Sequence, residues 1–250
     1  MNILILEEGE IGARLPRFDR RWQHVKKILK KKPGDRLSAG IACGAADSGE
    51  GRLGEAIVRE MGDDGLVLDY EAFEGAAGMP PALAPLRLVL GFPRPIQAAR
   101  ILKDLASLGV AEILLAGTEL GEKSYLQSSF FKEKDYLRSL VEGAEQAGNP
   151  RLPTVSTFWT LRRCLDALGN ERGSKLYLHP YGAAERLGSP RPLEAPVTLA
   201  IGSERGWTEA ETSMLEEAGF SSRSLGERVL KSETATLAAA VLVLASLGKL

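Results

Sequence analysis

The sequence predicts an α/β protein in which a small, mostly β N-terminal domain precedes a larger domain built on a parallel sheet. Two observations support this. Near Leu86 the short apolar runs separated by Gly and Asp give way to strand-like runs that alternate with helical ones. Alternating strands and helices are typical of a parallel sheet covered by helices. We therefore expect domains at residues 1–72 and 86–250, joined by the Ala-, Gly- and Pro-rich linker 73–85.

Four apolar runs predict strands in the N-terminal domain: "NILIL", "RLSAGIA", "GRLGEAIVREM" and "GLVLDYEAF". One helix is expected to interrupt them, with Asp19 as its N-cap and "KKPGD" at its end. The apolar stripe that should face the core consists of Trp22, Val25, Ile28 and Leu29.

This helix lies in a basic region. Between Arg14 and Arg36 there are ten basic residues and two acidic ones, although the formal net charge of the chain is −1. A local positive patch is typical of a polyanion-binding surface, while a solvated helix face is the alternative. The candidate nucleic-acid contacts are Arg20, Arg21, Lys26, Lys27, Lys30 and Lys31.

The second domain begins a regular alternation at "LRLVLGF". Strands are predicted over 86–92, 112–117, 175–180 and 197–202, with a shorter one at "SSRSL". Helices are predicted over 95–108, 132–147, 158–168, 208–218 and 232–247. A glycine follows each helix where a C-cap belongs: Gly109, Gly148, Gly169, Gly219 and Gly248. Ligands of such sheets bind at the carboxyl ends of strands, which favours the loops 178–182, 202–206 and 225–231.

The turn "GSERG" at 202–206 separates a buried strand from a helix and is neither a dinucleotide fingerprint nor a P-loop. Glu204 would repel a phosphate, so a neutral or cationic ligand fits this turn better. The alternative is a tight structural turn in which Thr208 caps the next helix ahead of Glu211.

The last helix is apolar nearly all round from Ala235 onward, which predicts burial on most sides or packing against a second subunit. Ser232 is the expected cap. Arg228 and Lys231 just before it could hold a phosphate or a developing negative charge, or could simply be solvated. Lys123, in the polar loop 119–125, is a further candidate RNA contact.

Several classes of protein are excluded or disfavoured. Cys43 and Cys164 are few and far apart, which argues against a disulfide scaffold, and with only His24 and His179 besides, no metal site is expected. No apolar run reaches the roughly 18 residues of a membrane helix. We expect a cytoplasmic protein that binds neither a metal nor a membrane.

Together these stretches resemble the RsmE family of ribosomal RNA methyltransferases, in the SPOUT superfamily. The family's strand-end turn "IGPEGG" and its "LG-R-L-R-ET" segment are matched in order by Ile201, Gly202, Glu204, Gly206, Leu225, Gly226, Arg228, Leu230, Glu233, Thr234 and Ala235. The "LGV", "EQ…P" and "LHP" stretches also match, at Leu108–Val110, Glu145–Gln146 with Pro153, and Leu178–Pro180. The "H-V-x-x-I-L-K…GD" stretch, His24–Asp35, resembles the family's PUA-like RNA-binding β-barrel.

The resemblance implies a trefoil-knotted C-terminal domain, a homodimer formed through that domain, and S-adenosylmethionine as cofactor. It implies methylation of N3 of a uridine in 16S rRNA on the small ribosomal subunit. The cofactor residues it implies are Leu178, His179, Pro180, Ile201, Gly202, Ser203, Glu204, Gly206, Leu225, Gly226, Val229 and Leu230. The RNA contacts are the six basic residues of the N-terminal helix region, Lys123 and Lys231.

Arg228 is the first candidate catalytic residue, since a cation would stabilise the uridine anion. A carboxylate or a water molecule could accept the proton, and Glu233 and Glu204 are the candidate carboxylates. The family's Pro and first Gly in the turn are Ser203 and Arg205 here. Arg205 would strain the turn if that position requires a positive φ. A non-catalytic RNA-binding or ribosome-assembly protein and a ribose 2′-O RNA methyltransferase are the alternatives.

Overall fold

The computed structural model describes residues 1–44, 51–169, 172–181, 183, 185–189 and 191–250. The chain forms two compact units. The N-terminal unit is Met1–Ala82 with Val141–Leu152, and the C-terminal unit is Leu83–Leu140 with Pro153–Leu250. The sequence pattern does not indicate that residues 141–152 belong with the N-terminal unit.

The strands of the N-terminal unit are β1 Leu4–Leu6, β2 Arg14–Pro16, β3 Arg36–Ile41, β4 Cys43–Gly44, β5 Arg52–Met61, β6 Gly65–Ala72 and β9 Arg151–Leu152. Five of them form a curled half-barrel sheet in the order β1-β3-β5-β6-β2. β1 and β3 are parallel, and the other pairs in this sheet are antiparallel. β4 and β9 form a separate parallel pair. All four predicted strands of this region are therefore confirmed.

The helix predicted after Asp19 also forms, but it is irregular. It consists of α1 (Arg20–Gln23) and a π-helical turn, His24–Ile28. The Asp19 carboxylate accepts the backbone N–H of Arg21 at 2.7 Å, so the predicted N-cap is confirmed.

The predicted apolar stripe of this helix is only half correct. Trp22 and Val25 are buried, whereas Ile28 is 68% exposed and Leu29 is 41% exposed. The π-helical turn explains the difference, because the Leu29 N–H bonds to the His24 carbonyl oxygen five residues earlier, at 3.0 Å. This wider turn rotates the following residues away from the core.

The strands of the C-terminal unit are β7 Ala84–Gly91, β8 Val110–Ala116, β10 Thr154–Phe158, β11 Ser174–Leu178, β12 Glu185–Arg186, β13 Val197–Ile201 and β14 Ser221–Ser224. They form one parallel sheet in the order β10-β8-β7-β13-β11-β14-β12. The five predicted strands are confirmed. β10 and β12 were not predicted.

The remaining helices are α2 Pro95–Ser107, α3 Lys123–Leu126, α4 Ser129–Lys132, α5 Tyr136–Ala147, α6 Leu161–Leu168, α7 Glu209–Glu217 and α8 Ser232–Ser246. The five predicted helices are confirmed, but two of them begin later than predicted. The helix predicted over 132–147 begins at Tyr136, and the helix predicted over 158–168 begins at Leu161, because Phe158 is the last residue of β10. The five glycines that follow them all have positive φ, between 57° and 85°.

The last helix buries one side and leaves another uncovered in the single chain. α8 packs against α2, β7 and β13 through a stripe formed by Thr236, Ala239, Ala240, Val243 and Leu244. Val241, on another side, is 37% exposed. The predicted cap is wrong: Lys231 is the N-cap residue, without a side-chain hydrogen bond, and Ser232 is the first helical residue.

The described parts of the chain contain no helix long and apolar enough to cross a membrane. Among the same residues there is no group of three or more His, Cys, Asp or Glu side chains that could hold a metal ion. Burial raises the pKa of the Cys164 thiol to about 12, so it stays protonated at neutral pH and packs as a small apolar residue.

Candidate active site

A cavity of about 260 Å³ opens at the carboxyl ends of β11, β13 and β14. We call it the cofactor cavity. All twelve residues predicted to bind the cofactor line it: Leu178, His179, Pro180, Ile201, Gly202, Ser203, Glu204, Gly206, Leu225, Gly226, Val229 and Leu230. Three loops that are distant in sequence therefore meet at one edge of the sheet. Six further residues line the cavity: Tyr181, Arg205, Arg223, Arg228, Ser232 and Ala235.

The "GSERG" turn forms a tight wall of this cavity. The Gly206 N–H donates to the Ser203 carbonyl oxygen at 2.9 Å, and the two residues form an isolated antiparallel bridge. A Cβ added to Gly202 would lie 2.9 Å from the backbone carbon of Gly206. Only a residue without a side chain allows the two backbone segments to approach this closely.

The turn accommodates Arg205 without backbone strain. Among the described residues, the only non-glycine residues with positive φ are Lys30 and Lys134. Gly206, with φ of 77°, supplies the left-handed conformation instead. The strain considered for Arg205 is therefore absent, and its exposed side chain lines the cofactor cavity.

Hydrogen bonds between the loops hold the cavity together. The indole Nε1 of Trp207, which is 8% exposed, donates to the Leu178 carbonyl oxygen at 3.2 Å. The His179 N–H donates to the Arg223 carbonyl oxygen at 2.9 Å. These two bonds connect the end of β11 to the loop after β13 and to β14. Sequence reasoning missed the role of Trp207, although its position directly after the turn was the available signal.

His179 is used structurally on one side of its ring. Its Nδ1 lies 2.5 Å from the carbonyl oxygen and 3.2 Å from the amide nitrogen of Tyr181, so the backbone curls around that nitrogen. The imidazole therefore helps to fix the shape of the loop 178–181.

Glu204 anchors the turn to a neighbouring loop. Its carboxylate accepts the backbone N–H of Arg94, the N-cap residue of α2, at 3.3 Å. The Arg94 Nε donates in turn to the Tyr125 hydroxyl at 2.9 Å, and this hydrogen bond raises the pKa of the Arg94 guanidinium. Glu204 itself stays exposed at the mouth of the cavity. Neither Arg94 nor Tyr125 was predicted as part of this network.

The two predicted catalytic residues lie in different surroundings. Arg228 is exposed and lines the cofactor cavity, with no hydrogen-bond or ion-pair partner among the described residues. Glu233 does not line it, but its neighbours Ser232 and Ala235 do. Its Oε2 is buried and has no hydrogen-bond partner within the described chain. Lys231 is exposed at the start of α8.

The predicted RNA contacts of the N-terminal unit separate into two groups. Arg20 donates to the carboxylate of Glu145, which is 1% exposed, at 2.5 Å. Arg21 is largely buried and pairs with Glu10 at 2.5 Å and Asp19 at 2.9 Å. A guanidinium that is paired within the protein is less available to RNA. The assignment of Arg20 and Arg21 as RNA contacts therefore stays a prediction, and these ion pairs count against it.

These pairs perturb the carboxylates. Burial by itself raises the pKa values of Glu10 and Asp19, but hydrogen bonds from Arg21 outweigh burial and leave both pKa values below their usual range. Arg21 is thus held in a charged cluster that stabilises this part of the N-terminal unit.

Two of the four lysines have partners and two do not. Lys26 pairs with Asp63 at 2.5 Å and lies 4.9 Å from the centre of the Trp22 ring. Lys31 donates to the Arg36 carbonyl oxygen at 3.2 Å. Lys27 and Lys30 are exposed and have no ion-pair partner among the described residues. These two are the better candidates for contacts with a polyanion.

Comparison with known proteins points to one family. A family model for the RNA methyltransferase domain matches residues 80–244. The chain is 38% identical to the ribosomal RNA small subunit methyltransferase E of Treponema pallidum (strain Nichols), covering 98% of this chain and 91% of the relative. It is 31% identical to ribosomal RNA small subunit methyltransferase E 1 of Borreliella burgdorferi, covering 99% of each.

Solved structures show the same fold. The ribosomal RNA small subunit methyltransferase E of Neisseria gonorrhoeae, bound to S-adenosyl methionine, matches with a TM-score of 0.75 and 22% identity over 98% of this chain and 97% of that one. A methyltransferase of Legionella pneumophila in complex with the same cofactor matches with a TM-score of 0.72 and 22% identity, covering 98% of each chain.

Proposed function

Because the chain belongs to the ribosomal RNA small subunit methyltransferase E family, we propose that it transfers a methyl group from S-adenosylmethionine to N3 of a uridine in 16S rRNA. The observation that carries this proposal is the convergence of three distant loops on the cofactor cavity. The substrate is the small ribosomal subunit, and the expected place of action is the cytoplasm.

The cofactor cavity suits S-adenosylmethionine. Gly202 allows the turn to close on the Gly206 backbone, and the space beside Gly206 is open, since no heavy atom lies within 4 Å of a Cβ added there. The backbone groups of residues 178–180 and 225–226 also line the cavity and can meet the neutral adenosine. The exposed carboxylate of Glu204 at the mouth can attract the sulfonium, while Arg205 and Arg228 in the same lining can meet the carboxylate of the methionine part. When bound, the cofactor supplies an electrophilic methyl group on a sulfonium.

The protein's part of the chemistry is to control the charge and the proton of the uracil. N3 of uracil carries a proton that must leave before or during attack. Arg228, exposed in the cavity and free of partners among the described residues, would stabilise the resulting uridine anion. The unpartnered Glu233 carboxylate, one residue beyond the cavity lining, would accept the proton directly or through water. Holding N3 in line with the transferred methyl supplies much of the remaining rate.

The N-terminal unit would hold the ribosomal RNA. Its half-barrel supports the PUA-like assignment of residues 1–72, with Lys27 and Lys30 as the main phosphate contacts. Lys31 and Lys26 would contribute less because they already have partners. Lys123 and Lys231, both exposed, would contact RNA close to the cofactor cavity.

A homodimer would form through the last helix. In the single chain the apolar Val241 of α8 is 37% exposed and Ile96 of α2, the helix that packs on α8, is 74% exposed. A second copy would bury these side chains, as the apolar composition of α8 favours. The trefoil knot, in which α8 is threaded through a loop, belongs to the same proposal.

Calorimetric titration with S-adenosylmethionine tests the cofactor assignment. We expect stoichiometric binding at micromolar or tighter affinity and none with ATP, because the turn offers a carboxylate rather than a phosphate cradle. A folded protein that takes up no S-adenosylmethionine would favour a non-catalytic RNA-binding protein on the same fold.

A further inference from the structure

A second cavity, of about 940 Å³, lies along the same edge of the parallel sheet and is used by neither the cofactor nor the proposed chemistry. We call it the stacking cavity. It opens at the carboxyl ends of β7, β8 and β10, which are neighbours in the sheet and lie beside the strand β13 of the cofactor cavity. α3 and α7 form its walls. The position is one at which α/β proteins bind ligands.

The floor of the stacking cavity carries an exposed aromatic ring. Trp159 is 61% exposed, whereas the other two tryptophans, Trp22 and Trp207, are each 8% exposed. Trp159 is held by its backbone, because a Cβ on Gly117 would lie 2.2 Å from its carbonyl oxygen. The apolar side chains around it are Phe92, Leu126, Leu161 and Met214. A planar ligand can therefore stack here on the exposed indole ring.

The polar groups of the cavity differ in availability. Glu211, 1% exposed, accepts the backbone N–H groups of Glu119 and Thr208, at 2.8 Å and 3.0 Å, and is fully used within the fold. Glu217 has no hydrogen-bond or ion-pair partner among the described residues and lines the cavity. The Thr118 hydroxyl is also unpartnered there, in a residue that is 7% exposed. A ligand with N–H donors would complement these acceptors.

The cationic groups limit the choice of ligand. Lys123 and Arg162 line the cavity, are exposed, and have no ion-pair partner among the described residues. They would attract phosphates at their own positions, whereas the four carboxylates of the lining, Glu119, Glu122, Glu211 and Glu217, would repel a phosphate placed deep inside. An RNA nucleotide satisfies both conditions when its base enters the cavity and its phosphates stay at the two cations.

We propose that the stacking cavity receives one unpaired nucleobase of the ribosomal RNA near the uridine that is methylated. The base stacks on Trp159, and its amino group donates to Glu217, as carboxylates accept from the amino group of cytosine. The cavity thus prefers adenine, cytosine or guanine over uracil and reads the sequence beside the target. This proposal rests on the proposed function only in taking RNA as the substrate.

Short RNAs and the full-length protein test the proposal without cofactor. We expect labelled A₆ and C₆ hexamers to bind and to quench the tryptophan fluorescence, with U₆ several-fold weaker. Trp159→Ala should weaken A₆ binding about tenfold and abolish the quenching, while Trp159→Phe should retain most of the affinity. Phe73→Ala, at an aromatic residue 45% exposed in the N-terminal unit, is the matched control and should leave both unchanged.

The contribution of Glu217 is tested in the same way. Glu217→Gln should reduce the difference in affinity by which the protein prefers A₆ and C₆ to U₆. Glu209→Gln, on the same helix but outside the cavity lining, should leave that difference unchanged. Unchanged A₆ affinity in Trp159→Ala would overturn the proposal, as would quenching by an arginine hexapeptide but by no RNA. The affinity of Trp159→Ala for S-adenosylmethionine, measured by calorimetry, should equal that of the parent protein. This measurement distinguishes a failure of the stacking proposal from a failure of the proposed function.

Discussion

The cofactor cavity and the basic helix of the N-terminal unit differ in how many of their predicted binding residues are available to a ligand. At the cofactor cavity, all twelve residues that the resemblance to the family implied line one space. At the basic helix, Arg20, Arg21 and Lys26 are engaged in ion pairs, and Lys27 and Lys30 have none among the described residues.

The difference follows from what each pattern specifies. A loop such as 202–206 contributes backbone shape, which its glycines and turn residues determine locally. A cluster of charges contributes side chains whose partners come from distant parts of the chain, such as Glu145 for Arg20. Loop patterns therefore predict a site more directly than the composition of a charged segment does.

The largest effect is expected at Arg228. Arg228→Ala should lower kcat for methyl transfer about a hundredfold or more, because it removes the charge that stabilises the uridine anion, with the Kd for S-adenosylmethionine changed less than about threefold. Single-turnover kinetics and calorimetry measure the two quantities. Arg228→Lys should recover part of the rate. Equal losses in rate and cofactor affinity would show that Arg228 has a structural role.

The shape of the turn is tested at Gly202. Gly202→Ala places a Cβ 2.9 Å from the Gly206 backbone, so the turn must shift and affinity for S-adenosylmethionine should fall about tenfold to a hundredfold. Gly9→Ala is the control, since no heavy atom lies within 4 Å of its added Cβ. Unchanged cofactor affinity in Gly202→Ala would remove the turn from the binding site.

The uncovered side of α8 is tested by oligomeric state. The parent protein should have a mass about twice 26.9 kDa by light scattering, and Val241→Glu should shift it toward the monomer because the charge would be buried at the interface. Leu250→Glu, at a residue 72% exposed beyond the helix, should leave the mass unchanged. A monomeric parent protein would contradict the proposed interface.

A smaller effect is expected from the basic helix. Charge reversal of both Lys27 and Lys30 should weaken binding to small-subunit RNA and lower the slope of log K against log salt by about 2, since roughly one counterion is released per phosphate contact. Lys249→Glu, which changes the net charge by half as much as the double variant, should lower the slope by much less than half of the effect of the double variant if the effect is specific to this helix. If the slope is the same in parent and double variant, this helix lies outside the RNA interface.

The smallest effect concerns acid stability. The folded-state pKa values of Glu10 and Asp19 lie below their ordinary values of 4.5 and 3.8. These two carboxylates therefore stabilise the folded state when the pH is above their ordinary pKa values. This stabilisation is lost as the pH falls through their lower folded-state pKa values. Urea unfolding between about pH 6 and about pH 3 should show this loss. Arg21→Met should make the free energy of unfolding depend less on pH. An equally steep pH dependence in this variant would exclude the Arg21, Glu10 and Asp19 cluster as its source.

The sequence predicted more of the architecture than of the side-chain networks. Periodicity and C-cap glycines located the five principal helices because both signals are local. The exposure of Ile28 and Leu29 was missed because a π-helical turn changes the phase of the stripe. Trp207, which connects two loops of the cofactor cavity, was missed because its partner is a backbone carbonyl 29 residues away.

Methyl transfer from labelled S-adenosylmethionine to small ribosomal subunits that lack the modification tests the central claim most directly. After digestion to nucleosides, the account predicts that the label is found in 3-methyluridine and that Arg228→Ala greatly reduces it. Label in a ribose 2′-O-methylated nucleoside, or no label although the protein binds the cofactor, would contradict it.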